Sequence, residues 1–188
     1  MRYVIFDLEA TCDEDEKDFP YERMETIEIG AVLLVTPDGD PVDEFATFIR
    51  PVATRELTAF CTELTGITQP DVAVAAPFCE VFPRFVSWCE ESGGGSGDPF
   101  TLYSWGAFDL KLLRRDCERH KMAFPASFER HINVKAEFAR RFQTRPIGMM
   151  AALKHRGITA EGRHHSGIDD ARNITKLARL VLPSEGDT

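Results

Sequence analysis

Apolar residues along this chain recur in two rhythms, one of strands and one of helices. "RYVIFDL" (residues 2–8) is almost continuously apolar and predicts a buried first strand. "TIEIGAVLLV" (26–35) is β-branched and aliphatic, and the turn residues "PDGD" (37–40) lead into "DEFATFIRP" (43–51), so residues 26–51 predict an antiparallel hairpin. Between them, "DEDEKDFPYERME" (13–25) is polar and aperiodic and reads as a loop. Helical spacing follows at 56–64 and at 78–91, where Phe78, Val81, Phe82, Phe85, Val86 and Cys89 recur at three and four. Pro83 should kink or begin that second helix. "SGGGSGDP" (92–99) has linker composition and predicts a surface loop. "FTLYSW" (100–105) is a fourth strand, 108–120 a helix and "HINV" (131–134) a short fifth strand. Helical segments at 135–142 and 146–155 and an amphipathic helix at 167–182 complete the pattern. Three strands followed by alternating helices and strands predict an α/β fold, a mixed five-stranded sheet flanked by helices, with residues 1–188 read as one domain.

Composition changes this picture little and charge changes it more. The apolar and charged fractions, 43% and 28%, are ordinary for a soluble globular protein. No run of eighteen apolar residues and no secretory leader pattern appears, so the expectation is a cytoplasmic protein with no membrane partner. Five cysteines without a CxxC pair read as reduced thiols, which makes a zinc enzyme or a thiol nucleophile the least favoured reading. The net charge of −9 argues against loose binding along nucleic acid, yet it is unevenly spread. Residues 1–110 carry −16, residues 111–156 carry +8 and the remainder −1. The basic band is either the solvated face of helices or a phosphate-binding surface, and only a nearby site for an anionic substrate would decide between them.

Candidate chemistry begins where the first strand stops being apolar. Residues two apart on a strand share a face, so Asp7 and Glu9 can point together, and two adjacent carboxylates repel unless a cation lies between them. Oxygen donors without a His/Cys cluster suggest Mg²⁺ or Mn²⁺. The alternative is that the strand ends at Leu8 and both acids are solvated. Asp109 stands where the fourth strand gives way to a helix, and "GRHHSGIDDARN" (162–173) supplies His164, His165, Asp169 and Asp170 where the last helix begins. Singly, each of these acids reads as a helix N-terminal residue. Together, acids at two strand ends and one helix, with a His five residues before an Asp, are the parts of a two-metal hydrolase with a general base.

"FDLEATC", "SWGAFDLKLL" and "HHSGIDDARN" resemble the three motifs of the DEDDh 3′→5′ exonucleases. The intervening "ELTAFCTELTGIT", "HINVKAEFARRF" and "RPIGMMAALKHRGI" resemble the subfamily that trims RNA 3′ ends, with bacterial sporulation-inhibitor-like relatives. The resemblance covers residues 2 to about 182. It implies a ribonuclease-H-like fold, two Mg²⁺ or Mn²⁺ ions held by Asp7, Glu9, Asp109 and Asp170, and His165 as general base. His165 rather than His164 makes the H-x₄-D spacing with Asp170, which leaves His164 a loop residue and Asp169 a support of the helix. It further implies that Glu9 and the backbone near Ala10 and Thr11 contact the terminal sugar, and that Phe60 and Phe108 flank the terminal base, although Phe60 reads equally as core and Phe108 more so. On this reading a minority of Lys111, Arg114, Arg115, Arg140, Arg141, Arg145 and Arg156 contact upstream phosphates. The implied substrate is a single-stranded 3′ end, RNA before DNA. A DNA-directed exonuclease and a non-catalytic regulatory protein on the same fold remain the alternatives, as do monomer and homodimer. The 13–25 and 92–99 segments are where the chain is idiosyncratic.

Overall fold

The computed structural model describes residues 1–15, 17, 19–93 and 99–182. Most of the glycine-rich 92–99 segment lies outside the described residues. Five strands form a mixed sheet in the order β3-β2-β1-β4-β5, with β1 (Arg2–Ala10) at its centre. On one side β2 (Thr26–Leu34) and then β3 (Asp43–Phe48) run antiparallel, as the hairpin pattern predicts. On the other, β4 (Phe100–Ser104) and β5 (His131–Asn133) run parallel.

The continuous apolar run of β1 follows from cover on both faces. Val4, Phe6 and Leu8 enter one core with α3 (Phe78–Glu91) and α4 (Phe108–Arg119). Tyr3 and Ile5 enter a second core with α5 (Val134–Arg141), α6 (Met149–Arg156) and α7 (Gly167–Ala178). The odd-numbered face continues to Asp7 and Glu9, so both acids lie on the side of the sheet that α7 covers. The strand does not end at Leu8. It pairs with β2 through Glu9 and shifts register only between Glu9 and Ala10. Its pairing with β4, by contrast, covers only Arg2–Ile5. Beyond Ile5, β1 therefore projects past the carboxyl edge of the parallel pair, where α/β sheets characteristically open a crevice.

Several boundaries differ from the periodicity. The helix expected over 56–64 is α1, Ala59–Thr65, because the Thr58 hydroxyl accepts the Cys61 N–H at 2.9 Å and fixes the start. A five-residue helix, α2 (Gln69–Ala73), is too short to show a period and is held by a capping box between Thr68 and Asp71. Helix α3 starts at Phe78, so Pro83 lies inside it, where its missing N–H deprives the exposed Cys79 of a bond. At the other end, α7 stops at Ala178 rather than 182. Leu180 and Val181 bond to carbonyls three residues back, which tightens the tail into a turn. Among the described residues, no helix is long and apolar enough to cross a membrane.

The described residues of the acidic 13–25 segment form a loop with a 3-10 turn at Tyr21–Arg23. It is tied to α4. Arg115 and Arg119 both donate to the Met24 carbonyl, at 2.7 and 3.0 Å, and Arg115 lies over the Tyr21 ring. Asp116 accepts both the backbone N–H and the hydroxyl of Thr26, at 2.9 and 2.7 Å.

Candidate active site

A cleft of about 390 Å³ opens at this edge, and Asp7, Glu9, Asp109, Asp170, His164 and His165 all line it. Carboxylate oxygens of Asp7, Glu9 and Asp170 lie within 4.8 Å of one another. Strand geometry supplies the first two. The third depends on how α7 is seated.

Gly30 of β2 is the register partner of Asp7, and a Cβ added there would stand 2.1 Å from the Gly167 carbonyl carbon and 2.1 Å from the Ile168 nitrogen. The first turn of α7 therefore rests directly on the bare backbone of β2, an approach that only glycine permits. Beside it, the buried Glu28 accepts the Gly167 N–H at 2.9 Å and also bonds the Ile168 N–H, satisfying two donors at a helix start that has no side-chain cap of its own. Helix α7 is thus fixed by two residues of β2, and Asp170, one turn along, is delivered to Asp7 and Glu9. Sequence reasoning missed Glu28. The signal was its place in "TIEIG", where period two puts it on the same face as Gly30 and opposite Glu9.

Asp109, near the start of α4, is 6% exposed and accepts the Leu8 N–H, a donor that β4 no longer reaches. It lines the cleft but, among the described residues, joins neither close-set group of potential ligands. The second such group is His164, His165 and Asp170. The two imidazoles stack at 4.0 Å, His164 Nδ1 is 2.9 Å from the Asp170 carboxylate, and the same carboxylate accepts the His165 N–H at 2.9 Å. His164 is therefore more than the loop residue expected. His165 adopts φ +63, a left-handed conformation that costs a non-glycine residue on the order of 1 kcal/mol and is found mostly at functional sites. Asp169, expected to support the helix, pairs with Arg172 within α7 and also holds the loop by accepting the Arg163 N–H at 2.9 Å.

The electrostatics follow from burying like charges together. Burial above all, then Asp109, Glu9, Asp170 and Glu28, holds Asp7 well above the usual carboxylate range. Burial and Glu28 push Glu9 up to about 9. Burial raises Asp109 to about 6, tempered by its backbone hydrogen bonds. A divalent cation placed among these oxygens would favour their ionised forms and offset the upward shifts, and an all-oxygen set suits a hard cation. The His165 imidazole is held below its ordinary value by burial first and then by His164, so it stays neutral near pH 7.

These features converge with what sequence comparison finds, for the Exonuclease (RNase_T) family model matches residues 4–178. The chain belongs to that exonuclease family. The frog Xenopus laevis protein named ERI1 exoribonuclease 2 is 34% identical over 195 residues, spanning 95% of this chain but 28% of that protein. The human 3′-5′ exoribonuclease 1 is 32% identical over 184 residues, again 95% of this chain and 51% of that one. This chain thus spans little more than a quarter of the length of the first and about half of the second. Among solved structures, the nuclease domain of 3′hExo, a DEDDh family member bound to rAMP, superposes with a TM-score of 0.88 at 29% identity, covering 95% of this chain and 90% of that domain. The ribonuclease-H-like fold of DEDDh nucleases is the fold of this chain.

Two expectations about substrate contacts, those for Thr11 and Phe60, need correction. Thr11 is buried, and its N–H donates to the Glu25 carbonyl at 2.8 Å while its hydroxyl accepts the Glu25 N–H at 2.9 Å, so neither group faces the cleft, whereas Ala10 does line it. Phe60 is half-buried and lines a neighbouring hollow with Glu14, Glu63 and Leu64, of which Leu64 alone also borders the acid-lined cleft. Phe108 does border the cleft and, at 42% exposure with its ring edge-on to Tyr21, is not core. The basic band is partly internal. Arg114 pairs with Glu129 and Arg115 holds Tyr21 and Met24, while Arg140, which pairs with Glu137, Arg156, which covers Phe142, and Lys111, Arg141 and Arg145 are exposed.

Proposed function

We propose that this chain is a divalent-metal-dependent 3′→5′ exonuclease that releases nucleoside 5′-monophosphates from single-stranded 3′ ends, RNA in preference to DNA. The observation that carries this reading is the set of Asp7, Glu9 and Asp170 oxygens within 4.8 Å of one another, in a cleft that His165 borders. Asp7, Glu9, Asp109 and Asp170 are the residues that would hold two Mg²⁺ or Mn²⁺ ions. Bound there, the cations supply Lewis acidity toward the terminal phosphodiester and its attacking water.

The remaining work belongs to the protein. His165, neutral near pH 7, accepts the proton of the attacking water, and the lowered basicity that keeps it neutral fits a base working close to neutrality. Asp170 anchors the His165 backbone and so fixes the distance between base and acids. Phe108 offers an exposed face to the terminal base, an interaction worth about 1–3 kcal/mol and nearly blind to sequence. Ala10 gives the sugar a small, close wall at the end of β1. The preference for RNA draws on the relatives named exoribonucleases and on the nuclease domain bound to rAMP. Exposed Lys111, Arg141 and Arg145 are the candidates for upstream phosphates, which makes binding salt-sensitive.

The test is a 5′-labelled RNA oligonucleotide and its DNA counterpart, each with a free or a 3′-phosphorylated end, incubated with Mg²⁺ or Mn²⁺. The proposal expects a ladder shortening from the free 3′ end, faster on RNA, and absent with Asp7→Ala. A faster DNA ladder would reassign the substrate, and no metal-dependent shortening of either strand would leave a partner-binding protein on a nuclease fold.

A further inference from the structure

One wall of the cleft carries two sulfurs. Cys12, two residues beyond the end of β1, is half-buried and borders the cleft. Cys61, in α1, is fully buried beside Phe60. The start of α1 is seated on the end of β1 through these same residues. The Thr58 hydroxyl donates to the Cys12 carbonyl at 2.6 Å, and the Cys61 thiol lies 3.6 Å from the Ala10 carbonyl. Cys12 also packs into the small apolar cluster of Ile27, Cys61, Ile67 and Val72. The Cys12 thiol donates to the Cys61 sulfur. The other cysteines are elsewhere: Cys89 and Cys117 are buried in the α3–α4 core and Cys79 is exposed.

We infer that Cys12 and Cys61 are a redox modification site, forming a reversible disulfide that narrows the nucleotide cleft and slows the exonuclease. The consequence for activity rests on the function proposed above, but the disulfide does not. With hydrogen peroxide as oxidant the chemistry closes. Both S–H bonds and the peroxide O–O bond break, one S–S bond forms, and the two electrons given up by the sulfurs reduce the peroxide to two waters. Cys12 is the sulfur that solvent reaches. Its oxidation to a sulfenic acid is followed by attack of the Cys61 sulfur, which expels hydroxide. The hydrogen bond between the two sulfurs pushes Cys12 up and holds Cys61 down to about 7, so the pair gives up one proton near neutral pH and shares the other. It is with that shared proton on Cys61 that the solvent-reached Cys12 sulfur meets peroxide as a thiolate.

A disulfide draws two contacting sulfurs to about 2.05 Å, which pulls α1 toward the end of β1. Leu64 of α1 and Ala10 of β1 are both cleft walls, so the contraction acts where a terminal nucleotide would sit. A displacement of about 1 Å at a reacting site is enough to lower a rate by up to about a hundredfold.

The experiment uses the full chain in a Cys79→Ser background, which removes the exposed thiol. The protein is treated with hydrogen peroxide, peptides are mapped for a Cys12–Cys61 link, and 3′-end trimming is followed before treatment, after it, and after dithiothreitol. The inference expects the linked peptide, a loss of rate of at least roughly tenfold, the scale expected for a displacement approaching 1 Å, and recovery on reduction. It further expects Cys12→Ser and, separately, Cys61→Ser to bring the treated-to-untreated ratio close to one. Oxidation of Cys12 to sulfinic acid without a link overturns the inference, and so does a complete link with an unchanged rate. Should the reduced protein trim nothing, the function proposed above fails on its own, and the linked peptide alone then decides whether the modification site exists.

Discussion

Replacing Gly30 by alanine tests the whole construction of the site with one methyl group. The added Cβ would stand 2.1 Å from two backbone atoms of α7, where ordinary contact begins at 3.4 Å, so the helix start must retreat by about 1.3 Å. Both obstructing atoms are main chain, so no side-chain rotation can relieve the clash. Overpacking of this kind costs about 1–3 kcal/mol. The retreat also stretches the 2.9 Å bond from the Gly167 N–H to the buried Glu28 carboxylate, whose loss adds about 1–3 kcal/mol. A combined penalty of about 2–6 kcal/mol lowers Tm by roughly 4–24 °C for a chain of this size. Asp170 rides on the displaced turn, and a shift of more than about 1 Å should reduce trimming by about a hundredfold even below Tm. Thermal melts in EDTA and single-turnover trimming at saturating metal, both well below the variant's Tm, measure the two effects separately. A Gly30→Ala protein that melts within about 2 °C of the parent would refute the close seating of α7, since 1 kcal/mol already corresponds to about that shift. One that melts lower yet trims at full rate would refute the link between that seating and the chemistry.

Glu28→Ala should cost about 1–3 kcal/mol in the same melts and raise the metal concentration for half-maximal trimming, whereas Glu28→Gln, which keeps an acceptor oxygen for the Gly167 N–H, should recover most of both. In EDTA, the folded protein holds a proton on Glu9 up to about pH 9, while the unfolded chain releases it near about 4.3. The folded state therefore binds more protons throughout that window, and stability in EDTA should be greatest at its acid end and fall as pH rises toward 9. Excess Mg²⁺ should stabilise more at pH 8.5 than at pH 6, and a metal-free Tm that climbs between pH 6 and 9 would contradict the crowding of acids. His165→Ala should lower single-turnover trimming by about 10²–10⁴-fold with oligonucleotide binding largely retained. His165→Gly should be equally slow yet at least as stable as the alanine variant, because glycine adopts φ +63 without strain.

How much of this was legible in the sequence depends on the range of the interaction that decides each feature. The five strands and most of the helices follow from local periodicity, and Asp7 and Glu9 share a face because a strand alternates regardless of what surrounds it. The motif resemblance found His165, Asp109 and Asp170, which the structure brings to one cleft from three separate elements. It failed for Thr11 because its two polar groups are engaged by Glu25, fourteen residues away, a pairing with no sequence signature. Arg115, offered as one of the phosphate contacts, instead holds the 13–25 loop to α4 through partners more than ninety positions away.

The sequence alone determined which residue types stand at the end of β1 and the start of α7, because turn chemistry and side-chain period act over a few residues. Only the tertiary structure decided that those acids meet. That outcome depends on a glycine of β2 lying flat beneath a glycine of α7 and on Glu28 holding the helix start, contacts between residues more than 130 positions apart. Close approach of two backbones is a property of packing, and nothing in the local pattern of either segment records it.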